Sequence, residues 1–66
     1  MNLAQYIKAV SPGNRVYFLH QGNKVYATAG NLWGEGGPQP ALRFDNGDTV
    51  LVTERNVHIL HLEPLN

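Results

Sequence analysis

The sequence predicts a small all-β domain led by a short helix. Three observations carry that expectation. After residue 14, apolar residues recur with a period of two in several short runs. Pairs of hairpin type, Gly22-Asn23 and Asn46-Gly47, fall between those runs. Ahead of them, Leu3, Tyr6, Ile7 and Val10 keep the i, i+3, i+4, i+7 spacing of one helix face.

Residues 2 to 10 are therefore expected to be helical, capped by Asn2 and stopped by Ser11-Pro12-Gly13. So short a helix is marginal in water and has to dock its apolar stripe, all four residues of it, on something larger. Residues 15 to 20 (RVYFLH) form the first strand, with Val16 and Phe18 on one face and Tyr17 and Leu19 on the other. Residues 24 to 29 (KVYATA) form the second, with Val25, Ala27 and Ala29 opposed to Tyr26 and Thr28. The next stretch, GNLWGEGGPQP at 30 to 40, holds four glycines and two prolines and is expected to be a long loop. Residues 41 to 45 and 48 to 53 make a hairpin about Asn46-Gly47, whose positive φ angles suit a type I′ turn. Leu42 and Phe44 then share the core face with Val50 and Val52. Thr53 caps a single helical turn over 53 to 56, and residues 57 to 62 (VHILHL) form the last strand, ended by Glu63-Pro64.

Composition bounds the function. The chain has 66 residues and no cysteine, so it is one domain without disulfides or thiolate metal sites. A chain of this size buries only ~60% of the surface that its unfolded form exposes. Five basic residues balance five acidic ones. Nucleic-acid binders ordinarily carry a basic excess, which disfavours that class unless Arg15, Lys24, Arg43 and Arg55 converge in space. No apolar run is long enough for a membrane helix, and the N-terminus lacks signal-peptide character, so a cytoplasmic protein is expected.

Few residues point to chemistry. His58 and His61 are an odd number apart on an expected strand and face opposite ways, so they do not join His20 around a metal. Asp45 and Asp48 flank a turn, where aspartates bond local backbone. No catalytic triad, phosphate loop or cofactor motif is evident, and neither metal nor cofactor is expected. Trp33, alone of its kind and set among glycines, is a candidate recognition residue or a lid on the domain. Tyr17 and Tyr26 lie on adjacent strands and share a face, either as an exposed platform or, the favoured reading, packed beneath the helix. Arg43 lies near them.

Five short strands with one helical turn before the fifth are the layout of SH3-like barrels. Within that layout, VYATAGNLW followed by ALRFDNGDTVLVTERNVHIL resembles the Tudor-type branch over residues 13 to 62. The resemblance implies a five-stranded SH3-like barrel at 13 to 66 with the helix of residues 1 to 12 packed on it. Tudor domains that read methylated side chains carry an aromatic in the D-x-G turn. That position is Asn46 here, which speaks against a methyl-reading cage. Type II dihydrofolate reductases use a similar barrel, but their pore strand reads Val-Gln-Ile-Tyr where this chain has Val50-Leu51-Val52-Thr53.

The expected function is that of a non-catalytic interaction module, acting through protein contacts or as a homodimer. Its binding residues are Trp33, Tyr17, Tyr26 and Arg43. Apolar surface for self-association is expected at Tyr17, Leu19, Tyr26 and Leu51, opposite the core face. A nucleic-acid-binding accessory domain is the alternative. A small oligomeric enzyme is the third.

Overall fold

A computed structural model describes residues 1 to 63. The expected end of the last strand at Pro64 lies outside them. The elements are α1 (Leu3–Ala9), β1 (Arg15–His20), β2 (Asn23–Gly34), β3 (Gly37–Phe44), β4 (Thr49–Leu51), a 3-10 turn (Val57–Ile59) and β5 (His61–Leu62). All strand pairs are antiparallel, and the sheet runs β4-β3-β2-β1-β5.

α1 begins in a capping box. The Asn2 side chain accepts from the Gln5 N–H, and the Gln5 side chain accepts from the Asn2 N–H, both at 2.8 Å. The Leu3 N–H donates to Glu54 Oε1 at 3.3 Å, which ties the helix to the turn after β4. Tyr6 is buried, and Leu3 and Val10 pack against the core. Ile7 is not docked as its spacing predicts; it stays 56% exposed, because seven helical residues lie on the sheet along one narrow line.

The core unites Val16 from β1, Ala27 and Ala29 from β2, Leu42 from β3, and Val52, Val57 and Leu60 from the C-terminal part. Phe18 and Phe44 close one side with rings at 89° and centroids 6.1 Å apart. The alternation expected for β1 and β2 is present. Alanines at two central positions leave the sheet room for Tyr6 and the residues after β4. Val50 departs from expectation: it pairs with Leu42 but is 42% exposed, since β4 is the edge strand.

Turn chemistry differs from the prediction at both hairpins. The β1–β2 turn centres on Gln21 (φ 52°) and Gly22 (φ 81°), one residue earlier than Gly22-Asn23. Two positive φ angles make it the type I′ turn. At the β3–β4 turn only Gly47 has positive φ, 96°. Gly47 N–H donates to the Phe44 carbonyl, and Phe44 N–H to the Asp48 carbonyl. This is a three-residue loop: a type I turn through Asp45 and Asn46, followed by a left-handed glycine. Asn46 keeps an ordinary φ because its side chain accepts from the Asp48 N–H at 2.9 Å, a local turn bond.

The largest difference lies at residues 30 to 40. They do not form a loop. β2 and β3 pair without a break from Ala27–Phe44 to Gly34–Gly37, turning at Glu35-Gly36. The outer part of this hairpin projects past the core as a two-stranded arm, and the molecule measures 36 × 26 × 25 Å. The expected last strand is also shortened: Val57–Ile59 is 3-10 helical and follows directly on the turn over 53 to 56, and only His61 and Leu62 pair with β1. Glu63 N–H adds one further bond, to the Arg15 carbonyl.

Candidate functional site

Two surfaces follow from this arrangement. The first is the outer face of the sheet, opposite the core. Strand register places its residues in rows. His61, Tyr17 and Tyr26 make one row, since Tyr17 is opposite both others. Arg15, Thr28, Arg43 and Thr49 make the next, two residues along. Gly30, Ala41 and Leu51 follow. Lys24 and Leu19 lie on the other side of the tyrosines.

The tyrosines do share a face, with ring centroids 5.6 Å apart. They are not beneath the helix, as the favoured sequence reading has it. α1 docks on the opposite face through Tyr6, so the tyrosines are half-buried by their own neighbours. Tyr17 stacks on His61 at 5.1 Å, and Lys24 Nζ lies 4.7 Å from the Tyr17 ring centre. The Arg15 guanidinium lies 5.5 Å from the centre of the Tyr26 ring. It also donates to Thr28 Oγ1 at 2.9 Å and pairs with Asp45 at 3.1 Å. The hydrogen bond from Arg15 lowers the Asp45 pKa, and the same bond raises that of Arg15. Arg15–Asp45 is the one salt bridge among the described residues, so Arg43 has no carboxylate partner there.

Beside Arg43 the face dips into a slot of about 260 Å³. Its floor is the Gly30–Ala41 pair, and Thr28, Leu32, Arg43 and Thr49 wall it.

The second surface is the arm and its root. Trp33, opposite Pro38 in the register, is 79% exposed. Ile7 is 56% exposed, whereas Leu32, 44% exposed, faces the other way and lines the slot. A groove of about 290 Å³ runs between α1 and the arm, lined by Tyr6, Ile7, Val10, Pro12, Pro38 and Pro40 among others. The Tyr6 hydroxyl is buried without a hydrogen-bond partner, and burial raises its pKa.

The four residues singled out in the sequence are thus divided. Tyr17, Tyr26 and Arg43 belong to the outer sheet face. Trp33 stands on the arm, at a position of opposite parity to Tyr26 on β2, and lids nothing. Arg15 and Lys24 join Arg43, whereas Arg55 sits in the turn after β4, off the sheet. Leu19 and Leu51, expected on the self-association face, are 57% and 39% exposed there. Ile7, Pro38 and Pro40 were missed as site residues: a loop reading of 30 to 40 gave no reason to place the prolines against α1. No helix among the described residues is long and apolar enough to cross a membrane. No family model, curated protein or solved structure matches the chain.

Proposed function

We propose that the chain is a non-catalytic interaction module that works through protein contact, and first of all through association with a second copy of itself. The observation that carries this reading is Trp33, 79% exposed at the outer part of a fully paired hairpin. A tryptophan held by a paired strand has little freedom to lose on binding, and its ring offers a large apolar area to a partner. Ile7 and the proline-lined groove extend the same apolar surface, and contiguous surfaces of this kind mark interfaces. The zero net charge removes the mutual repulsion that keeps small domains apart. An SH3-like barrel of Tudor type is the finer fold reading. The strand order, the long β2 shared by both ends of the sheet and the 3-10 turn ahead of β5 support it.

Light scattering over a concentration series tests the function. A dimer mass is expected at high concentration, with a blue shift in the emission of the single tryptophan as the dimer forms. Trp33→Ser is expected to give monomer while changing stability by no more than ~0.5 kcal/mol, since Trp33 lies outside the core. A monomeric wild type at every concentration, or a Trp33→Ser dimer, contradicts the proposal.

A further inference from the structure

The balanced net charge of the chain conceals an uneven distribution. Three of its five basic residues, Arg15, Lys24 and Arg43, project from the outer face of the sheet, among Tyr17, Tyr26 and His61. The acidic groups nearest them are concentrated on Arg15: Asp45 is bonded to it, and the field of Glu63 also acts on it. Asp48 is held by the Asn46 amide within its turn, and Glu54 faces the start of α1. Lys24 and Arg43 are left exposed with no salt-bridge partner among the described residues.

The face is also rich in donors. Its guanidinium and ammonium groups only donate, while the threonine hydroxyls and phenols both donate and accept, which suits a ligand with charged acceptors and mixed polar edges. A carboxylate peptide answers the charge but makes no use of three contiguous aromatic rings. A single-stranded nucleic acid answers both, through phosphates on the cations and bases against rings. Rows two residues apart along β2 are spaced by about 6.6 Å, a step on the scale of successive nucleotides in an extended strand.

Gly30 adds a separate observation. Its φ lies outside the left-handed region, so nothing in the backbone calls for glycine, and a Cβ built there meets no atom within 4 Å. A glycine inside a strand weakens it, and one that makes no turn often marks a close approach by something else. Here its missing side chain opens the slot next to Arg43. We propose that the outer sheet face binds single-stranded nucleic acid, with phosphates held by Arg43 and Lys24 and a base received in the slot over Gly30 and Ala41. This site is on the sheet face opposite Trp33 and the α1 groove, so neither proposal depends on the other.

Fluorescence anisotropy with a labelled oligothymidylate of about twelve nucleotides tests it. At about 50 mM salt, dissociation constants in the range ~10–100 µM are expected. The logarithm of affinity should fall against that of salt with a slope of about −1.4, for the two unpaired cations displacing counterions. Arg43→Glu and Lys24→Glu should each weaken binding by roughly tenfold. Arg55→Glu makes the same change in net charge off this face and should leave affinity within about twofold. Gly30→Val should weaken binding while keeping or raising the melting temperature, because valine suits a strand better than glycine does. Four results overturn the proposal: no binding at low salt, salt-independent binding, equal damage by Arg55→Glu and Arg43→Glu, or a polyglutamate peptide of equal length bound as tightly.

Discussion

One ladder joins β2 to β3, yet its two halves occupy different environments. From Ala27–Phe44 to Ala29–Leu42 the pairs sit over the core, and Ala27, Ala29 and Leu42 are buried. From Asn31–Pro40 to Gly34–Gly37 the same hydrogen-bonded pairing continues with most side chains in solvent. Pairing and burial are therefore separable in this molecule. An isolated two-stranded ribbon is at best marginal in water, and the arm is ordered because its base is anchored in a five-stranded sheet. Its prolines are compatible with pairing for a geometric reason. The Pro40 carbonyl accepts from Val52 N–H, on the side away from β2. The nitrogen of a strand residue points to the same side as its carbonyl, so Pro40, and Pro38 two residues before it, withhold no bond from β2. They also blunt the arm's outer edge against unwanted strand addition.

The largest effect is expected where the ladder is buried. Leu42→Ala should destabilise the domain by ~2–5 kcal/mol, read as a lowered denaturant midpoint with little change in slope. Because so small a core has few other contributors, this variant stands near the limit of folding. A cost under ~1 kcal/mol would mean that the base is no better packed than the arm.

A matched pair of turns gives the next test. Gly47 and Gly37 have almost the same φ, 96° and 97°, and neither Cβ position meets another atom. A valine meets the same unfavourable φ at both, at a cost of about 1–2 kcal/mol. At Gly47 that strain falls on the loop that sets β4 against β3 and should appear in full as lost global stability. At Gly37 fraying of the arm tip relieves it, so the global cost should stay below about 1 kcal/mol. Equal melting temperatures for Gly47→Val and Gly37→Val would show that arm and base unfold as one cooperative unit.

The smallest expected effect concerns the Arg15–Asp45 pair, which bridges β1 and the β3–β4 turn at the base. The folded state holds the Asp45 pKa below its ordinary value. Its contribution is therefore present above the unfolded pKa of about 3.9 and is lost as pH falls through the lower, folded value. Asp45→Asn should unfold slightly earlier than wild type near neutrality, with the difference vanishing in acid. Both groups lie in solvent, so added salt should shrink the difference as well. A difference that persists unchanged in acid would assign the effect to the asparagine side chain and not to the ion pair.

Much of this was legible locally. The cap at Asn2, the period-two runs in β1 and β2, and the cap at Thr53 all depend on residues within a few positions of one another. Short-range patterns of this kind specify their own conformation. The turn types were misplaced for the same reason: a Gly-Asn or Asn-Gly pair signals a turn, but which residue takes positive φ depends on the strand register on both sides. Residues 30 to 40 misled because glycine and proline usually interrupt structure, and proline's tolerance depends on which way its nitrogen points.

The sequence alone determined an all-β domain with one capped helix, the alternation of its core strands, and a tyrosine pair on one face, because adjacent strands and near neighbours suffice for each. The tertiary structure decided the rest. Only the docking of α1 on the opposite face could leave Tyr17 and Tyr26 under Lys24 and Arg15 instead of under the helix. Only the continued register of β2 with β3 could carry Trp33 into solvent and separate it from Arg43. The gathering of Arg15, Lys24 and Arg43 depends on strands that meet through long-range pairing, and a net charge counted along the chain averages that polarity away.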